Sequence, residues 1–324
     1  MTPRPRTIAF APGERNVFLH ILTACNLSCH HCYINPAQHG TITLDIATIE
    51  AWLALLFAPG KDNNLVLLGG EPTLHPDLAR AVHTARRLGY GSVTIDTNGY
   101  LFHDFLDRIE PDEAVLSFSL DGPEPAVNDP LRGDGVFATC TANIRRAVKR
   151  NFAVSVIYTV SRRNIDHLHR MPALLTDLGV SRFFIQVIGL RGNAAEADDG
   201  LQLTPDEWLA VVPEAAAQAA GAGLEVIYPK VFLDPDEPFE CAGNVAENYF
   251  VFPNGRVYQC PLCEDYPVNA FRIEDDRLVE NPGLTEKRFF SLTIPEGCVM
   301  NKLLQAGNIP YDDAGRPLRR ISCC

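Results

Sequence analysis

Three cysteines stand close together near the start of the chain, in the order Cys25-Asn-Leu-Ser-Cys29-His-His-Cys32-Tyr33. Thiolates are soft donors, and three on one short loop can cap three irons of a [4Fe–4S] cube while the fourth iron stays open to a small ligand. A structural zinc more commonly takes four protein ligands as two Cys pairs with two-residue gaps, which gaps of three and then two do not match. His30 or His31 could complete a zinc site, so that alternative stays open. A second set follows late in the chain: Cys241, Cys260, Cys263 and Cys298, then the adjacent Cys323 and Cys324. Four cysteines in two groups suit an iron–sulfur cluster or a zinc knuckle. Cys140 falls inside a predicted helix and reads as a small buried apolar side chain.

The totals bound what these residues can serve. At 324 residues, 46% hydrophobic and 21% charged, the chain can bury a full core in one large domain or a large one plus a small one. Its formal net charge of −12 argues against a nucleic-acid partner and against an anionic membrane. Met1 to Arg15 contains no apolar run long enough for a signal-peptide core, and no stretch approaches the roughly 18–20 apolar residues of a membrane span. The expected location is the cytoplasm, where ten cysteines stay reduced, so a disulfide scaffold fits poorly and metal or cluster ligation leads.

Something must hold the cysteine loop in place, and the sequence supplies strands alternating with helices. The predicted strands are Val17–Leu22, Leu65–Leu68, Val93–Asp96, Ala114–Leu120, Ala153–Val160 and Arg182–Ile188. Thr43 is expected to cap a helix through Phe57, Pro76 to open one that stops at Gly89, and a third to run from Ile165 to Leu178, closed by Gly179. Six repeats of this kind imply an α/β fold: a partial (β/α)6 TIM-type barrel with parallel strands. In such sheets chemistry collects at the carboxyl ends of the strands, where the cysteine loop would lie. The expected domains are an extension (1–15), the barrel (16–200), a linking helix near Pro205 and strand Leu224–Ile227 (201–240), and a small Cys-bearing β-hairpin module (241–324). The hairpin, Tyr249–Phe252 and Val257–Gln259, is turned by Pro253-Asn254-Gly255 and brings its flanking cysteines together.

The Cys-x3-Cys-x2-Cys spacing, with His31 in the often aromatic position before the third Cys, resembles the signature of the radical S-adenosylmethionine superfamily. Further motifs follow in that family's order. Gly69-Gly70-Glu71-Pro72 matches its GGEP motif, Thr97-Asn98-Gly99 its Thr-Asn-Gly strand ending, and Ser119 and Arg132 fall where peptide-modifying relatives contact the cofactor's carboxylate. The resemblance implies a [4Fe–4S] cluster on Cys25, Cys29 and Cys32, and S-adenosylmethionine held by Gly69, Gly70, Glu71, Asn98, Ser119 and Arg132. It also implies reductive cleavage to a 5′-deoxyadenosyl radical, with a flavodoxin or ferredoxin-type electron donor.

Thirteen residues separate Cys241 from Gly255 and four separate Gly255 from Cys260, as in the opening of SPASM and twitch modules. That likeness implies one auxiliary [4Fe–4S] cluster on Cys241, Cys260, Cys263 and Cys298, with Cys323 and Cys324 as substitutes. Such enzymes mostly modify ribosomal peptides, and others mature sulfatases or oxidise sugars. Pro261 stands where sulfatase-maturing relatives carry an Asp base, so a peptide or peptide-derived substrate is expected. Oxidation of a small molecule such as a sugar or cofactor precursor is the alternative. A non-catalytic iron–sulfur or zinc protein for electron transfer is the other class, and it leaves Glu71 in its GGEP setting unexplained.

Overall fold

A computed structural model describes residues 5–7, 11–196 and 200–322. Cys323 and Cys324 lie outside the described residues, as do Asp198 and Asp199 of the acidic loop. The six expected strands are present: β1 (Glu14–His20), β2 (Asp62–Leu68), β3 (Ser92–Thr97), β4 (Val115–Ser119), β5 (Val154–Val160) and β6 (Arg182–Val187). Each pairs parallel with the next, so the partial-barrel α/β fold is the one observed. Period-two alternation sorts their side chains. Val17 and Leu19, Leu65 and Leu67, and Val93 and Ile95 are buried, while Phe18, Leu68 and Asp96 reach the lumen between them.

Helices α1 (Ile46–Leu56), α2 (Leu78–Leu88), α3 (Pro125–Arg132), α4 (Val136–Lys149), α5 (Met171–Leu178) and α6 (Pro205–Gly221) make the crossovers. The cap of α1 is Asp45, whose carboxylate accepts from Thr48 N at 2.8 Å; Thr43, expected there, instead bridges Leu22 through its backbone. The stretch from Ile165 is not one α-helix. It begins as a 3-10 turn over Ile165–Arg170 and becomes α-helical at Met171, where Pro172, which has no N–H to donate, suits a helix start. Gly89 and Gly179 close α2 and α5 in the left-handed conformation, as their positions suggested.

Beyond β6 the same pattern continues, because α6 returns the chain to β7 (Glu225–Tyr228), parallel to β6. On the opposite side, β8 (Glu247–Val251) pairs parallel with β1 in the register Phe250↔Phe18. The predicted hairpin is present as β8 and β9 (Arg256–Tyr258), and β10 (Phe271–Glu274) and β11 (Arg277–Glu280) follow antiparallel. Arg6–Thr7 beside β7 completes a continuous sheet of 12 strands. A side-chain ladder ties four strands together. Ser92 Oγ donates to Asn64 Oδ1 (2.7 Å), Asn64 Nδ2 to Asn16 Oδ1 (3.0 Å) and Asn16 Nδ2 to Asn248 Oδ1 (2.9 Å). Among the described residues, no helix is long and apolar enough to cross a membrane.

Candidate active site

The cysteine loop leaves β1 and is laid against the end of β2 by backbone hydrogen bonds. Ile21 N donates to Leu68 O (3.0 Å), Gly70 N to Leu22 O (3.0 Å) and Glu71 N to Ala24 O (2.9 Å). This pairing explains the glycines in terms of the chain itself. A Cβ at Gly69 would lie 2.2 Å from Leu22 O, and one at Gly70 would lie 2.1 Å from Ala24 O.

Glu71 is buried and gathers the ends of β2 and β3. Its Oε1 accepts from Thr73 N (3.0 Å), Thr73 Oγ1 (2.6 Å) and Thr97 Oγ1 (2.7 Å), and its Oε2 from Asn98 N (2.7 Å). A carboxylate offers about four lone-pair positions, two per oxygen, so Oε2 retains one. Burial pushes the Glu71 carboxyl above its ordinary range, against these donors. Asn98 passes the arrangement on to the loop: its Nδ2 donates to Asn26 Oδ1 (2.8 Å) and toward Cys25 Sγ (3.7 Å), while its Oδ1 accepts from Tyr100 N (2.9 Å).

Cys25, Cys29 and Cys32 carry no disulfide and line one cavity of about 710 Å³ at the carboxyl ends of the strands. Burial raises all three thiols, Cys29 to about 11 against the pull of Arg132. The C-terminal end of α3 backs the loop, with His30 N donating to Leu131 O at 2.9 Å. His31 lines the same cavity as the three cysteines, with its Nε2 lying 3.1 Å from Asp121 Oδ2. Among the described residues, no three His, Cys, Asp or Glu side chains are grouped so as to hold a single metal ion.

Gly69, Gly70, Ser119 and Arg132 line the same cavity as Glu71 and Asn98. The buried Arg132 forms an ion pair with Asp121, Nε to Oδ2 at 2.6 Å. Burial pushes the Asp121 carboxyl up, but Arg132 and His31 outweigh it and hold the group at about 2. Sequence reasoning missed Asp96. This carboxylate reaches the cavity from β3 and is raised to about 6 by burial, opposed by the Ser117 hydroxyl and reinforced by the Glu71 charge. The signal was available, since strand alternation puts Asp96 on the lumen side, between the buried Ile95 and Thr97.

Cys241, Cys260 and Cys298 face this cavity too. Cys241 precedes the short helix Ala242–Val245, Cys260 follows β9, and Cys298 precedes Val299–Leu304. Cys263 is fully buried and lines no part of the cavity; it interacts with Cys260 and lies within electrostatic reach of Cys298. Glu286 pins this segment by accepting from Gln259 N (2.6 Å), Cys260 N (3.0 Å) and Ala270 N (3.2 Å).

The segment after β6 bridges the first cysteine loop and the residues that follow Cys260. Asn193 N donates to Cys32 O (2.8 Å) and its Nδ2 to Cys29 O (3.2 Å). On its other side Gly192 N donates to Asp265 Oδ2 (3.0 Å), and Arg191 pairs with Glu264, donates to Pro261 O (2.7 Å) and lies over the Tyr33 ring.

Comparison with known proteins agrees with this arrangement. A family model described as the Radical SAM superfamily matches residues 19–175. The PqqA peptide cyclase of Gluconobacter oxydans is 31% identical over 268 residues, spanning 79% of this chain and 73% of that protein. The pre-heme d1 synthase of Dinoroseobacter shibae is 30% identical over 207 residues, spanning 61% of this chain and 50% of that protein. The crystal structure of Streptococcus suis SuiB bound to precursor peptide SuiA superposes with a TM-score of 0.65. It covers 92% of this chain and 66% of that one, and at 13% identity the likeness speaks for the fold alone.

Proposed function

Because the chain belongs to the radical S-adenosylmethionine superfamily and is a radical SAM enzyme, we propose that it modifies a peptide. When bound, the cluster, reduced by one electron, and S-adenosylmethionine would supply radical abstraction of a hydrogen atom from the substrate. In this reading Cys25, Cys29 and Cys32 ligate the [4Fe–4S] cluster, and Asn98 and the β2 end hold their loop. The remaining lone pair of Glu71 Oε2, with Asp96 nearby, accepts from the cofactor's ammonium group. The Ser119 hydroxyl and the Arg132 guanidinium hold its carboxylate, and Asp121 fixes the guanidinium. Cys241, Cys260, Cys263 and Cys298 ligate one auxiliary [4Fe–4S] cluster, and a flavodoxin or ferredoxin-type protein delivers electrons.

One observation carries the proposal: Cys25, Cys29 and Cys32 line a single cavity together with Cys241, Cys260, Cys298, Glu71 and Asp96. The peptide substrate is supported by the likeness to the PqqA peptide cyclase and by the fold shared with peptide-bound SuiB. The pre-heme d1 synthase likeness supports a small-molecule substrate as the second reading.

The test is anaerobic reconstitution, reduction and incubation with S-adenosylmethionine. The expected result is 5′-deoxyadenosine, about eight irons per chain, and no product from Cys29→Ala. No product from protein with its cluster intact would overturn the enzymatic assignment. About four irons with one zinc would replace the auxiliary cluster with a knuckle.

A further inference from the structure

Six phenylalanines line the cavity, and every one is only half-buried. Phe18, Phe184 and Phe250 come from lumen-facing positions on β1, β6 and β8, and Phe18 and Phe250 stack with ring centroids 4.5 Å apart. Phe239, Phe289 and Phe290 come from the segments around the C-terminal cysteines. Aromatic surface left accessible inside a protein favours an apolar occupant, which removes that surface from water.

Both arginines that line this space are already paired. Arg132 faces Asp121, Arg191 pairs with Glu264, and Glu71 is occupied by Thr73, Thr97 and Asn98. Asn248 reaches the cavity with its Oδ1 taken by Asn16. Asp96, which has no ion-pair partner among the described residues, stands at the Glu71 end. The further polar side chains Thr159, Gln186 and Gln259 are uncharged, so a charged side chain would lose its hydration without a counter-charge on the aromatic side.

We infer that the substrate group admitted to the lumen is an aromatic or branched aliphatic side chain of a peptide. This rests on the peptide reading above and narrows it. The wall selects by exclusion as much as by attraction, since the penalty for an unmatched polar group exceeds the gain from one more apolar contact.

Binding to cluster-loaded protein with S-adenosylmethionine tests it without turnover. The probes are the acetylated, amidated tripeptides Gly-X-Gly with X as Phe, Leu, Lys or Asp, and methyl glucoside, titrated calorimetrically. The Phe and Leu peptides should bind at least about tenfold more tightly than the rest. Phe184→Ser should lower the affinity for the Phe peptide and Phe184→Leu should retain most of it, with circular dichroism checking both folds. Equal binding across the panel, tighter binding of the Lys peptide, the Asp peptide or the glucoside, or no binding at all would overturn the inference. Formation of 5′-deoxyadenosine by the same preparation without any probe is measured alongside. Its absence defeats the proposed function, and its presence beside an indifferent panel defeats the inference alone.

Discussion

Asn98 joins Glu71 to Cys25 through one backbone and one side-chain N–H, so its effect should be visible in the cluster itself. An N–H dipole aimed at sulfur stabilises the more negative, reduced cluster, and Asn98→Ala should shift the midpoint potential downward in an EPR-monitored titration. An unchanged potential would confine Asn98 to holding Asn26. Asp121→Asn should cost about 3–5 kcal/mol in urea unfolding, because Arg132 would be left buried without its counter-charge. Asp121, at about 2 when folded against an ordinary 3.8, contributes stability that is full above pH 4 and is lost as pH falls toward 2. Asp96 acts in the opposite sense. Its folded value of about 6 means that stability declines as pH rises from 3.8 to 6 and then levels, and Asp96→Asn should remove that decline.

At the scale of elements, Gly70→Ala should be disruptive because the added carbon meets a backbone oxygen that cannot swing aside. A loss of at least about 2 kcal/mol is expected, together with loss of bound iron, measured by unfolding and metal analysis. The strands were readable in the sequence because alternation marks both faces, down to Val17 and Leu19 against Phe18. Caps were harder. Thr43 and Asp45 are both able to cap, and only the bridge between Thr43 and Leu22 decides in favour of Asp45. Asp45→Ala should therefore lower the melting temperature more than Thr43→Ala does. Gly69 and Gly70 were expected at the cofactor, and a second demand on them was not legible, since an added Cβ would meet the backbone of Leu22 and Ala24. Likewise Arg132 and Ser119 were foreseen at the cavity, while Asp121, which holds Arg132, was not, since nothing local in sequence ties an aspartate to an arginine eleven positions on.

For the whole molecule, the sequence separated a barrel from a cysteine module, and the structure runs one sheet through both. Pairing between β1 and β8 spans 232 residues, as Asn16 and Asn248 do, and no local pattern encodes it. A chain ending at residue 240 should leave β1 with an open edge and Phe18 without its stacking partner, and it should accumulate in the insoluble fraction. A soluble, cooperatively melting fragment would show that the barrel closes unaided. The same pairing sets an order in time. During synthesis at ordinary rates, the strand that covers β1 emerges roughly 10–50 s after it. Until then β1, the strand from which the loop with the first three thiols departs, is covered on one flank only, which makes iron delivery to a half-made chain wasteful and gives the cell reason to load the metal after release from the ribosome.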